Sequence, residues 1–363
     1  MSPLPLRFSG VEDLGAKPAE TTIDRRRAVK ARLLAAVLFI FLLASTTVCM
    51  AKSGTITYDI KLNAAKGAKQ ARLWLPYPIS DRHQTISDVH VSGNYNSWAV
   101  YHDPASGATY IYAKWTDIGS RPSMMMSFHA VSKDRRIANL KNSGKPIPET
   151  VKKYLASTKW LPANDYRKLA AQIVKGKKTY LARVQAVYDW VIAHTFRDRS
   201  VKGCGLGLTT RTLTELKGGG KCADISSVFV TIARAAGIPA RDVFGLRLFE
   251  PKSGNISTAF HCWTQFYLPG TGWVMADPAD VRKMMLDHNI KLKNAGKWEK
   301  FFWGGDDLFR VVLEKNARGV VFNPPQKGAP LSYFMYPFAQ VDGKSLDYFS
   351  PKDFSYTVTF KAD

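Results

Sequence analysis

Cysteine is scarce in this chain, with 4 residues among 363, and no two of them form a Cys-x-x-Cys pair. This scarcity excludes the small disulfide-rich scaffolds, and the missing pairs argue against the usual zinc ribbons and thioredoxin-like redox motifs. The counts of 26 glycines and 19 prolines are ordinary, which excludes collagen-like and low-complexity chains. Hydrophobic residues make up 45% of the chain, enough for two modest domains with packed cores.

Acidic residues are the second deficit, because 29 Asp and Glu stand against 52 Lys and Arg, for a net charge of +23. The excess is concentrated at residues 131–200, which hold 16 basic and 5 acidic side chains. Two interpretations stay open for this stretch: ordinary solvated helix faces, or contact with an anionic membrane or wall surface. We expect no nucleic acid as partner, since no nucleic-acid-binding motif accompanies the charge.

Long apolar runs are absent after residue 51. Before it, the basic cluster Asp24–Lys30 precedes the uncharged run Leu33–Ala51, which ends in small residues. This order predicts an export signal, by the general or the twin-arginine route, with cleavage after Ala51. The alternative is an uncleaved N-terminal anchor, because the run approaches the ~20 residues that cross a bilayer. Either way we expect the remaining chain to be exported, in the periplasm or the cell envelope.

The rest of the chain changes its hydrophobic period twice. Residues 52–140 alternate apolar and polar side chains, as in Ile56, Tyr58 and Ile60, and this period of two predicts an N-terminal β-sandwich-like domain. Residues 141–295 begin with helical spacing and are predicted to form a second, helix-containing domain, which holds the chemically interesting residues described below. Strand patterns return in a β-rich C-terminal extension, residues 296–363. The predicted fold class is α+β.

The residues with chemical potential lie between Gly218 and Asp280, and the first is a cysteine at a predicted helix start. Three glycines and Lys221 precede Cys222, and an amphipathic stripe of apolar residues follows it. A thiol at a helix N-terminus is favoured as thiolate by the helix dipole, and the free N–H groups there can receive an oxyanion.

A histidine and an acid follow on two predicted strands. His261 lies on the strand 259–268, and Asp277 directly follows the strand 272–276. A hairpin between these strands would place Asp277 beside His261, with Asp280 as a rival acid three residues later. A cysteine, a histidine and an orienting carboxylate are the arrangement that acyl transfer requires.

These segments resemble the core of the transglutaminase-like superfamily, a papain-related cysteine fold. The similar motifs are Gly-Gly-Lys-Cys222-Ala-Asp, Ala-Ala-Gly237-Ile-Pro-Ala-Arg, His261-Cys-Trp, and Gly-Trp273-Val with Asp277-Pro. The order is that of the family, although Cys262 replaces its common alanine. The resemblance implies that Cys222 is the nucleophile, His261 the general base and Asp277 the orienting acid.

The resemblance also implies an exported enzyme acting through a thioester on peptide or carboxamide bonds. We interpret it as a protease or amidase whose substrate is a peptide or protein, with an envelope protein as one candidate. A cross-linking transglutaminase and a non-catalytic envelope binding module are the alternatives. No cofactor is expected.

Two further cysteines, Cys204 and Cys262, allow two alternatives in an oxidising compartment. They form a disulfide that braces the strand of His261, or they remain buried free thiols. A zinc site made of both with Cys222 and His261 is disfavoured, because His261 and Cys262 are adjacent on a strand and face opposite ways. We therefore expect no metal.

Overall fold

The structure is a computed structural model and describes residues 52–363. The predicted signal or anchor therefore lies outside the described residues. The strands are β1 (Lys52–Leu62), β2 (Gln70–Pro76), β3 (Gln84–Gly93), β4 (Ser97–His102), β5 (Thr109–Thr116), β6 (Ser123–Ser132), β7 (Phe196–Arg197), β8 (Gly219–Gly220), β9 (Ala240–Leu248), β10 (Gly254–Asn255), β11 (Phe260–Leu268), β12 (Gly272–Ala276), β13 (Phe309–Lys315), β14 (Phe338–Val341), β15 (Lys344–Ser345) and β16 (Phe354–Ala362).

The α-helices are α1 (Glu149–Lys152), α2 (Arg167–Ile173), α3 (Tyr180–His194), α4 (Thr209–Thr214), α5 (Cys222–Ala235), α6 (Pro278–Asp287) and α7 (Gly296–Phe301). Short 3-10 turns cover Lys153–Leu155, Ala163–Tyr166 and Leu292–Asn294. Among residues 52–363, no helix combines the length and the apolar character needed to cross a membrane.

Two antiparallel sheets of five strands each combine strands from the beginning of the described chain with strands from its end. Their strand orders are β10-β16-β1-β6-β3 and β15-β14-β2-β5-β4. In the first sheet β1 pairs with β16 and places Ile60 opposite Tyr356. In the second sheet β14 pairs with β2. The predicted N-terminal domain and C-terminal extension thus share both sheets, and the domain boundaries themselves stay predictions.

The period-two pattern of β1 marks its buried face correctly. Ile56, Tyr58 and Ile60 are each at most 1% exposed, and they belong to the same hydrophobic cluster as the apolar residues of β2, β5 and β6. Alternate residues of a strand point to opposite faces, so this spacing places all three side chains on the covered side of the sheet. The predicted strand pattern is confirmed here.

A third sheet, ordered β12-β11-β9-β13, carries helix α5 against β11 and β9. Every residue of α5 from Cys222 to Arg234 is buried. A helix that is surrounded on all sides is held by packing rather than by propensity, so its position is fixed by the sheet and the neighbouring helices. This mixture of antiparallel sheet and helix confirms the predicted α+β class.

The start of α5 is fixed by a buried carboxylate. The Lys221 backbone N–H donates to Asp224 Oδ2 over 3.0 Å, and the Gly207 N–H donates to Asp224 Oδ1 over 2.9 Å. A side chain at Gly205 is excluded, because its Cβ would lie 1.8 Å from Asp224 Oδ2. Asp224 thus holds the chain before Cys222 and the segment around Cys204 together.

Candidate active site

Cys222 is the first residue of α5 and is 3% exposed. The next backbone N–H, of Ala223, donates to the carbonyl of Cys204 over 2.9 Å. The Cys222 N–H has no acceptor in its own helix, as is usual for the first turn. The positive end of the helix dipole therefore lies at Cys222, and its N–H is left for another acceptor.

His261 reaches the site from β11, where it is 1% exposed and lies opposite Gly245 of β9. Its Nε2 is 2.7 Å from Asp277 Oδ2. The His261 ring also stacks on the Trp263 ring at 6.0 Å between centroids, so both side chains lie on the same face of β11. Because Nε2 is engaged with a carboxylate, Nδ1 is the ring nitrogen left to interact with Cys222.

Asp277 owes its position to the hairpin of β11 and β12. The register pairs Thr264 with Ala276, which confirms the predicted hairpin and places the next residue, Asp277, at the edge near His261. Asp277 also caps α6, since its Oδ1 accepts the Asp280 N–H over 2.9 Å. One carboxylate therefore orients the imidazole and starts the following helix.

Asp280, the rival acid, lies in the same site. Its Oδ2 is 3.3 Å from His261 Nε2, farther than the Asp277 oxygen but still in contact. Asp277 and Asp280 are both fully buried. The structure thus brings both candidate acids to His261, with Asp277 as the closer partner.

Two buried arginines compensate these carboxylates. Arg310 Nη2 lies 3.0 Å from Asp277 Oδ2 and 3.2 Å from Asp280 Oδ2, and Arg310 also pairs with Asp306. Arg247 Nη1 lies 2.9 Å from Asp280 Oδ1. Sequence reasoning missed both arginines. The available signal was a charge inside an apolar strand, as in Phe309-Arg-Val-Val, which needs a buried partner.

These charges set the protonation states of the site. Burial alone would lower the pKa of His261, but the charges of Asp280 and Asp277 raise it to about 10. Burial alone would raise the pKa of Cys222, yet hydrogen bonds from Cys204 and Cys262, and then the hydrogen bond and charge of His261, hold it well below its usual range. Both pKa shifts favour a Cys222 thiolate beside a protonated His261.

The three cysteines form one buried group, with their sulfur atoms within 4.8 Å of one another. All are free thiols in this structure. The sulfur atoms of Cys204 and Cys262 are thus neighbours that are not bonded to each other here. The disulfide between them stays a prediction. Hydrogen bonding to Cys222 raises the pKa of Cys204, and burial raises the pKa of Cys262, so both thiols stay protonated. The Cys204 thiol donates to the Phe260 carbonyl over 3.4 Å, and the Cys262 thiol donates to Met335 Sδ over 3.9 Å.

This geometry brings together three of the four ligands of the disfavoured zinc site. The three sulfurs are adjacent, but His261 Nε2 is grouped with Asp277 and Asp280 instead. The cluster therefore consists of three free cysteines, among which Cys222 is the one whose pKa is lowered.

Replacing Arg310 by methionine should destabilise the protein strongly. Arg310→Met keeps most of the volume but leaves buried carboxylates uncompensated, and breaking a buried ion pair costs about 3–5 kcal/mol. Urea unfolding followed by tryptophan fluorescence measures the loss. The control is Arg199→Met, whose side chain is 75% exposed and 3.9 Å from Asp287, and we expect it to cost at most about 1 kcal/mol. Equal losses in the two variants would contradict this account of the site.

Comparison with known proteins places the site in a wider context. A family model described as the transglutaminase-like superfamily matches residues 167–278. An uncharacterized protein of Haemophilus influenzae is 33% identical over 335 residues, covering 85% of this chain and 90% of that protein.

Two solved structures are similar in fold. A candidate cysteine protease from Cytophaga hutchinsonii has a TM-score of 0.50 and 15% identity, covering 86% of this chain and 98% of that one. The periplasmic domain of TgpA from Pseudomonas aeruginosa has a TM-score of 0.34 and 14% identity, covering 67% of this chain and 98% of that one. At these identities the first similarity concerns the fold alone.

Proposed function

Because the chain belongs to the transglutaminase-like superfamily, we propose that it is a cysteine-dependent acyl-transfer enzyme. Cys222 is the nucleophile, His261 the general base and acid, and Asp277 the carboxylate that orients His261. The observation that carries the proposal is a cysteine at the start of a buried helix, in the same buried site as a histidine held by a carboxylate 2.7 Å away. The lowered pKa of Cys222, to which His261 contributes, adds to it.

The reaction begins with attack of the Cys222 thiolate on a peptide or carboxamide carbonyl carbon. The carbonyl electrons move to oxygen and form an oxyanion, which accepts a hydrogen bond from the Cys222 N–H. When the oxyanion collapses, the carbon–nitrogen bond breaks and the imidazolium of His261 gives its proton to the departing amine. A thioester on Cys222 remains.

We propose that water resolves this thioester, which makes the protein a protease or amidase. His261, neutral after proton donation, takes a proton from the attacking water, and the acid product leaves as the thiolate is restored. A cross-linking enzyme would use a primary amine in place of water at the same step. Hydrolysis needs no second binding site for an amine, so it is the simpler assignment.

Cys222 should be alkylated rapidly by iodoacetamide at pH 7, where an ordinary thiol is mostly protonated. The rate should fall only at acidic pH, as the thiolate is protonated, since its pKa is depressed. In His261→Ala the thiolate loses a hydrogen bond and a positive charge, so its pKa rises and the rate at pH 7 should drop about ten- to a hundredfold. Peptide mapping by mass spectrometry identifies the labelled cysteine.

The matched control for this experiment is His90→Ala, because His90 is exposed on β3 and distant in sequence from the site. Its alkylation profile should superimpose on that of the wild type. Labelling of the wild type no faster than a free thiol, or labelling at Cys204 or Cys262 in place of Cys222, would refute the nucleophile assignment.

We further propose that the enzyme works in the cell envelope, on a peptide or protein substrate. The support is the N-terminal sequence, which has the order of an export signal or anchor. The basic excess at residues 131–200 adds to it, because most of its lysines and arginines are exposed. Such a surface is attracted to lipid phosphates and acidic wall polymers.

Sedimentation with vesicles that contain anionic lipid tests this location. Binding should weaken from 0.1 M to 1 M salt, where screening shortens from about 10 Å to about 3 Å. It should also weaken in a variant that removes three exposed charges of this stretch, and less in a control that removes three charges elsewhere. The variant is Lys175→Gln, Lys177→Gln and Lys178→Gln; the control is Lys344→Gln, Lys352→Gln and Lys361→Gln. Binding that ignores salt would contradict the proposal.

Mass spectrometry of envelope proteins from cells with wild-type protein or Cys222→Ala separates the chemical alternatives. New protein termini that depend on Cys222 indicate a protease, and the amidase form appears as Cys222-dependent deamidation. Isopeptide cross-links that depend on Cys222 would identify the transglutaminase alternative. A Cys222→Ser strain that keeps the normal cellular phenotype and proteome would instead support a non-catalytic binding module.

A further inference from the structure

An oxyanion that forms at Cys222 needs more than one preorganised hydrogen-bond donor. The Cys222 N–H is one donor, because within residues 52–363 it has no acceptor. The Ala223 N–H cannot serve as the second, since it already donates to the Cys204 carbonyl. The other donor must therefore come from a different element of the fold.

Arg197 is held beside this helix start by the short parallel ladder of β7 and β8. Its Cα is paired with that of Gly220, two residues before Cys222. The Asp198 N–H donates to the Gly220 carbonyl over 2.9 Å, and the Phe196 N–H donates to the Gly218 carbonyl over the same distance. Backbone bonds on both sides of Arg197 thus fix where its side chain begins.

The guanidinium of Arg197 carries an unmet hydrogen-bonding capacity. Its Nη1 is shielded from solvent and has no hydrogen-bond partner among the described residues. A buried polar group without a partner is rare in folded proteins, because the lost hydration is not replaced. Burial by itself would lower the pKa of Arg197, but the negative charges of Cys222 and Asp280 raise it, so the guanidinium stays charged beside the sulfur.

Arg197 also borders an open cavity of about 250 Å³. The cavity is lined on one side by Phe196 and Arg197 and on the other by residues of α6 and the turn after it, including Arg282 and Leu286. Phe196 is 43% exposed and Leu286 39% exposed, so the cavity communicates with solvent. The cavity thus brings solvent-accessible space to the wall that Arg197 forms, while Cys222 is not among its lining residues.

We propose that Arg197 is the second oxyanion donor of this enzyme. Its Nη1 N–H and the Cys222 N–H together bind the oxygen that becomes negative when the thiolate attacks. The guanidinium keeps its protons throughout: the new carbon–sulfur bond uses the thiolate pair, and the proton for the leaving group comes from His261. The inference rests on the proposed function, because it requires Cys222 to be the nucleophile.

Two reactions of the same sulfur separate an oxyanion donor from a residue that only stabilises the thiolate. Acylation by p-nitrophenyl acetate passes through a tetrahedral oxyanion and releases p-nitrophenolate. Alkylation by iodoacetamide displaces iodide and forms no oxyanion. Both rates are measured from pH 5 to 10, and their high-pH plateaus are compared, so that a shifted thiol pKa does not affect the result.

In Arg197→Met the acylation plateau should fall roughly a hundredfold, the effect typical of removing one oxyanion donor. The alkylation plateau should change less than about threefold, which also shows that the variant is folded. Arg197→Lys keeps a cationic donor at the end of a shorter side chain, so it should recover part of the acylation rate. The control Arg199→Met, two residues away and exposed, should match the wild type in both reactions.

The outcomes distinguish the two levels of the hypothesis. If acylation of the wild type does not depend on Cys222, as judged with Cys222→Ala, the proposed function itself fails. If the wild type acylates at Cys222 but Arg197→Met lowers both plateaus in parallel or neither, Arg197 is not an oxyanion donor and this inference is overturned.

Discussion

The contact between His261 and its two carboxylates is the constraint on which the rest of the site depends. With the imidazole protonated, three buried cations face three buried carboxylates. The cations are His261, Arg247 and Arg310, and the carboxylates are Asp277, Asp280 and Asp306. An isolated charge in such a place would cost several kcal/mol, so each member is tolerated only because the others are present. These charged side chains are therefore stable in their buried positions only when the third sheet is formed and brings them together.

This balance explains how Cys222 can be a thiolate although it is buried. The carboxylates raise the pKa of His261 to about 10, so they favour its protonated ring. The protonated ring in turn lowers the pKa of Cys222. The positive end of the helix dipole lies at the same residue, and the sulfurs of Cys204 and Cys262 lie within 4.8 Å of the Cys222 sulfur. The negative charge on Cys222 is thus stabilised from several sides, none of which requires solvent.

Local patterns predict much of this arrangement and miss the part that depends on distance along the chain. The period of two in β1, the apolar stripe of α5 and the turn between β11 and β12 are local, so they could be predicted and were found. Cys222, His261 and Asp277 lie on these elements. Arg310 reaches Asp277 and Asp280, which lie 33 and 30 residues before it, and no periodicity relates it to those groups. The pairing of β1 with β16 was missed for the same reason.

The stretch that matches the family model, residues 167–278, does not contain the whole site. Asp280 lies just beyond it, Arg310 lies on β13, which pairs with β9, and Asp306 lies three residues before β13. Without Arg310, Asp277 would lose its buried arginine partner, and Asp280 would keep only Arg247. The C-terminal region, which also contributes strands to both five-stranded sheets, is therefore part of the candidate site in electrostatic terms.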